Sequence, residues 1–142
     1  MTHDDETFDI FVTQDVLEHV FEPADVLVEV LRVLRPGGAH VFTTPKHPHL
    51  PHSRRRAARR GGETVHVLEP EYHGNPIGNG WALVTWDFGT DFERLAESWS
   101  GAPVSTYLSR DRFFGLDAEY LEVFVMRRPL GWQAPTPTER PL

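Results

Sequence analysis

Phe8-Asp-Ile-Phe-Val-Thr13, then Ala24-Asp-Val-Leu-Val-Glu-Val-Leu-Arg-Val-Leu34, then His40-Val-Phe-Thr-Thr44, stand in this order near the start of the chain. The first is a short, nearly continuous apolar and β-branched run, as expected of a strand covered on both faces in a parallel sheet. In the second, Val26, Leu27, Val30, Leu31 and Leu34 recur at spacings of three and four, with Asp25, Glu29 and Arg32 opposite, which predicts an amphipathic helix. Pro23 suits its first turn, where a missing N–H costs nothing. Arg35-Pro-Gly-Gly38 stops the helix, and His40 to Thr44 predicts a second strand ending at Pro45. Strand, helix and parallel strand make a βαβ unit, almost always right-handed.

Beyond Pro45 the pattern changes. Residues 46–80 are rich in turn chemistry, with His47, His49 and His52 among prolines and Arg54, Arg55, Arg56, Arg59 and Arg60 close behind. They read as one long loop, a functional insertion or lid. Residues 82–86 predict a short strand and 87–99 a helix with Phe88, Phe92, Leu95, Ala96 and Trp99 inward, ended by Gly101. Residues 103–108 and 120–126 predict two further strands around a loop containing Phe113-Phe-Gly115. Phe113, Phe114, Trp81 and Trp86 read as core or interface residues. Residues 1–128 form one expected domain, and 129–142 a Pro-rich extended tail with no core to join.

The 142 residues suit a single domain with a real core, and 25% charged residues with 39% apolar is ordinary globular composition. The absence of cysteine excludes thiolate catalysis, disulfides and Cys-based metal sites. A formal charge of −7 argues against general nucleic-acid binding. Apolar runs fall short of a membrane span and the start is acidic, so a cytoplasmic protein without membrane attachment is expected.

Asp15, Glu18 and His19 follow the first strand at spacing i, i+3, i+4, so a helical turn starting near Asp15 would put all three on one face. Two carboxylates and an imidazole suit a divalent metal. Alternatively His19 is a general base for an acceptor hydroxyl, or the three serve only as caps and hydrogen-bonding groups. His47, His49 and His52 read as a solvated Pro-rich loop, and the arginines as a charged loop rather than a phosphate site. His73 with Asn75 reads equally as a rigid turn.

Phe8-Asp-Ile, Gln14-Asp-Val-Leu-Glu-His-Val20, Val30-Leu-Arg-Val-Leu-Arg-Pro-Gly-Gly38 and Val41-Phe-Thr-Thr-Pro45 together resemble the middle of a class I S-adenosylmethionine-dependent methyltransferase, of the type-11 methyltransferase domain group. The likeness extends over residues 8–128. It implies an α/β fold: a partial Rossmann-like methyltransferase sheet containing the fourth and fifth parallel strands and a closing antiparallel pair. The Gly-rich turn and ribose-binding acid of the N-terminal cofactor-binding βαβ are missing from this sequence, so it reads as the C-terminal half, with Met1 in question as the true start. By resemblance Gln14, Asp15 and Val16 line the methionine end of S-adenosylmethionine, while Thr44, Pro45, Lys46 and His73 lie on the side of a small-molecule acceptor. The implied activity is methyl transfer to that acceptor. The alternative is a non-catalytic, truncated methyltransferase-like domain acting as an interaction or oligomer-forming module. With no neighbour for the strand at 8–13, its open edge is expected to take a homodimer mate or a partner chain.

Overall fold

The computed structural model describes residues 2–74 and 80–136. Strand β1 (Phe8–Gln14) runs into a single 3-10 turn (Leu17–His19), helix α1 (Pro23–Val33) and strand β2 (Leu34–Thr43). The helix passes directly into β2: Leu34 is already extended, and the Pro-Gly-Gly segment belongs to the strand rather than to a separate loop. Gly38 is needed there, because a Cβ would lie 2.9 Å from the carbonyl oxygens of Arg35 and Asp9.

Short strands follow, β3 (Arg54–Arg55), β4 (Ala57–Arg60), β5 (Glu63–His66), β6 (Tyr72–Gly74), β7 (Trp81–Leu83) and β8 (Trp86–Asp87), then helix α2 (Phe92–Ser100). Strands β9 (Val104–Leu108) and β10 (Glu122–Arg127) complete the main sheet, ordered β1-β2-β10-β9. β1 and β2 are parallel, and β10 is antiparallel to both β2 and β9. α2 starts later than its periodicity suggests, since Trp86–Asp87 form a short strand that pairs with Arg54–Arg55. It ends at Gly101, whose φ of 70° supplies the left-handed cap.

One face of this sheet is a core and the other is only partly covered, most open at its outer strands. Phe42, Phe124 and Met126 pack with Leu27 and Leu31 of α1 and Phe92 and Trp99 of α2. The Phe92 and Phe124 rings meet edge-on at 5.0 Å. The residues between them along the strands share the opposite face: Ile10 and Val12 beside Ala39 and Val41, then Val125 and Val123 beside Ser105 and Tyr107. Ile10 and Val12 are 63% and 68% exposed. The apolar run at 8–13 is thus covered on one side only, contrary to its reading as a doubly buried strand. β1 is an edge strand of this sheet among the described residues.

The span 46–80 is not one continuous loop. Short antiparallel pairs fold back along it, Ala57–Arg60 with Glu63–His66 and Tyr72–Gly74 with Trp81–Leu83. Its arginines are mostly committed. Arg54 and Arg56 bind the buried Asp87, Arg55 binds Glu22, and Arg59 covers the Phe21 ring. Of the aromatic residues expected in core or interface, Trp86 is buried, whereas Trp81, Phe113 and Phe114 are exposed. The start of the tail does join the core: Trp132 packs against it and donates its indole N–H to the Ser100 carbonyl at 2.8 Å. Residues 137–142 and Asn75 lie outside the described residues. No described helix is long and apolar enough to cross a membrane.

Candidate active site

A parallel strand aims its C-terminal end at the loops that follow, and β1 and β2 do so side by side. At that end Asp15 adopts a φ of 50°, rare for a residue with a side chain. This turn reverses the chain out of the sheet. The Asp15 N–H donates to the Thr43 carbonyl at 3.2 Å, and Thr43 Oγ1 donates to Asp15 Oδ1 at 3.0 Å. The helical turn expected from Asp15 onward therefore does not form. A 3-10 turn over Leu17–His19 replaces it, and Asp15 falls outside the group of ligand atoms that Glu18 and His19 form with His73.

Glu18 is only 2% exposed. One carboxylate oxygen, Oε2, accepts from Thr44 Oγ1 at 2.9 Å, and the other, Oε1, is buried with no hydrogen-bond partner. Burial raises its carboxyl above the ordinary carboxylate range. Its own backbone N–H, Thr44 and His19 act the other way, and Asp15 adds to the rise. The backbone beside it is pinned, with Thr85 N–H donating to the Glu18 carbonyl at 2.7 Å.

His19 is held by its ring. Nδ1 lies 2.9 Å from the Leu83 carbonyl, and a carbonyl only accepts, so Nδ1 carries the hydrogen. That leaves Nε2 with its lone pair, 3.7 Å from Glu18 Oε1. The His73 ring, from the strand over Tyr72–Gly74, stands edge-on to His19 at 5.2 Å. One ligand atom from each of Glu18, His19 and His73 falls within 4.8 Å of the others.

These groups form the floor of a cleft of about 900 Å³, lined also by Gln14, Asp15, Val16, Pro45, Glu119 and Tyr120. The structure so brings together the residues expected at the cofactor's methionine end, Gln14, Asp15 and Val16, with His19, Pro45 and His73. Thr44 and Lys46 are placed elsewhere. Thr44 is buried beneath the floor as the partner of Glu18, and Lys46 is tied to Glu93 at 2.6 Å beside a smaller cavity. Of the metal set of Asp15, Glu18 and His19, the last two stand within reach of one another. Asp15 is engaged by Thr43, and His73 occupies the third position. Glu119 and Tyr120 escaped the sequence reading. They sit in the loop between β9 and β10, where no local pattern marks a cleft residue. Tyr120 has a φ of 57°, and its hydroxyl is 3.3 Å from His47 Nδ1.

Residues 1–42 match a family model described as a methyltransferase domain. No curated protein matches the chain. Among solved structures, an S-adenosylmethionine-dependent methyltransferase from Mesorhizobium loti is similar at a TM-score of 0.53 and 18% identity, over 87% of this chain and 64% of that one. An S-adenosylmethionine-dependent methyltransferase from Methanosarcina mazei is similar at 0.52 and 14%, over 92% and 63%. The 4+2 cyclase SpnF is similar at 0.53 and 15%, over 92% and 54%. The chain spans less than two thirds of the length of each of these three proteins. The chain thus shares its fold with part of these S-adenosylmethionine-dependent methyltransferases, and its first 42 residues match the methyltransferase domain model.

Proposed function

We propose that this protein takes part in methyl transfer from S-adenosylmethionine to a small molecule bearing a hydroxyl group, bound in the cleft beyond β1 and β2. The observation that carries this reading is the meeting of Gln14, Asp15 and Val16 with His19, Pro45 and His73 around one cavity. The first three lie at the end of a parallel strand, the position at which open α/β sheets bind ligands. The residues fit the methionine end of the cofactor in charge. Asp15 is an exposed carboxylate at the cleft wall, suited to an ammonium group, and Gln14 beside it offers both a donor and an acceptor. When bound, the cofactor supplies an electrophilic methyl group.

The chain's own part is positioning and activation. Holding an acceptor against a reaction partner in a fixed geometry removes much of the entropic barrier. The hydroxyl must also lose its proton, and the floor of Glu18, His19 and His73 is where the chemistry for that lies. With a hydrogen held on Nδ1 by the Leu83 carbonyl, His19 accepts the proton at Nε2, and the neighbouring Glu18 stabilises the imidazolium that results.

Isothermal titration of the full chain with S-adenosylmethionine tests the reading. Micromolar binding is expected, weakened about 10–100-fold by Asp15→Ala through loss of a charged hydrogen bond of about 1.5–3 kcal/mol. Absence of heat at millimolar cofactor would overturn it and leave the non-catalytic module as the better description.

A further inference from the structure

We infer that Glu18, His19 and His73 form a binding site for a divalent transition-metal ion of the zinc type, at the floor of the cleft. This rests on the reading of the cleft as an acceptor site and assigns His19 Nε2 to a metal rather than to a proton. Two observations lead to it. The Leu83 carbonyl fixes the hydrogen of His19 on Nδ1, so Nε2 offers a lone pair. Opposite it, at 3.7 Å, stands Glu18 Oε1, buried and without a hydrogen-bond partner. Two lone pairs facing each other in a buried corner repel unless something positive lies between them.

The donors suit a metal better than a lone proton. His73 brings a second imidazole to the same spot, and the three ligand atoms lie within 4.8 Å of one another, as donors around a shared ion do. Two imidazoles and a carboxylate form the donor set of open zinc sites, in which three protein ligands leave a fourth position for water or substrate. Here that position faces the cleft. The outer contacts are also those of a ligand shell. His19 donates its remote N–H to a backbone carbonyl, and Thr44 holds the second oxygen of Glu18, so both ligands are oriented before an ion arrives. An ion at this point would polarise an acceptor hydroxyl and lower its pKa.

The test is metal binding by the chelator-treated full chain, titrated with Zn²⁺ against a competing chelator and with Co²⁺ followed by its visible absorption. One equivalent is expected, with a low-coordinate Co²⁺ spectrum. His73→Ala, at a half-exposed position in a short surface strand, should abolish that spectrum with the fold intact. Thr44→Val should weaken binding about 10–100-fold. A His47→Ala, His49→Ala double variant should leave binding unchanged. No stoichiometric binding, or binding that survives His73→Ala, would overturn the site. Cofactor titration of the metal-free protein separates the two proposals: S-adenosylmethionine bound without metal leaves the proposed function standing when the metal site fails.

Discussion

His40 shows how one buried side chain makes stability depend on pH. It lies in β2, fully buried, stacked on Phe42 at 4.4 Å, with Nε2 2.9 Å from Thr13 Oγ1 and no hydrogen-bond partner for Nδ1. Burial pushes its pKa down to about 3 from the usual 6.5. The unfolded chain therefore takes up the proton first as pH falls. Stability is full above about 6.5 and declines toward 3, by about 1.4 kcal/mol per pH unit between those values. Glu18 has a raised pKa and acts in the opposite direction, gaining as pH falls. Urea denaturation at pH 7 and pH 5 should show His40→Phe with a flatter pH dependence than the parent, the difference amounting to about 2 kcal/mol. Equal slopes would disprove the assignment. Thr44 is the second case. Thr44→Val removes the hydrogen bond to a buried carboxylate, and urea denaturation at pH 7 should report a loss of about 1–3 kcal/mol. The loss should shrink in acid, where Glu18 protonates.

At the scale of elements, the entry into α2 depends on one close approach. Gly89 lies between β8 (Trp86–Asp87) and α2, and a Cβ there would stand 2.6 Å from the Leu50 carbonyl oxygen and 2.8 Å from the His52 carbonyl carbon. Both obstacles are backbone, so the segment 47–53 would have to move. That segment is anchored by the Ser53 N–H and hydroxyl donating to Asp91, each at 2.7 Å. Gly89→Ala should destabilise by about 1–3 kcal/mol in chemical denaturation. Gly74→Ala, at a position with open space and an ordinary backbone, should shift stability by less than about 0.5 kcal/mol. Similar losses from the two substitutions would remove the steric explanation.

At the scale of the whole molecule, the conspicuous feature is a sheet with one covered face and one only partly covered. Ile10, Val12 and Tyr107 are exposed together on it, and β1 presents an unpaired edge among the described residues. Each large apolar side chain left in water forgoes about 1.5–3 kcal/mol. An exposed apolar face next to a free strand edge favours association. Sedimentation of the full chain should reveal concentration-dependent association, reduced by Val12→Lys, which places a charge on that face. A chain that stays monomeric at high concentration would show that the face is tolerated bare.

What the sequence by itself determined is local. The period of three and four over residues 24–34 identified α1, Gly101 ended α2, and the β-branched runs identified β1, β2, β9 and β10, because each of these signals is carried by neighbours in the chain. The position of the candidate site was legible for the same reason, since it follows a parallel strand directly. Its chemistry was not. The left-handed turn at Asp15 removed a residue that spacing had put on the face of Glu18 and His19, and a distant hairpin strand brought His73 in its place. The lone pair of His19 was fixed by the carbonyl of Leu83, and the second oxygen of Glu18 by Thr44. Such contacts arise from chain crossings in space, and no periodicity along the chain records which donor will stand opposite which acceptor.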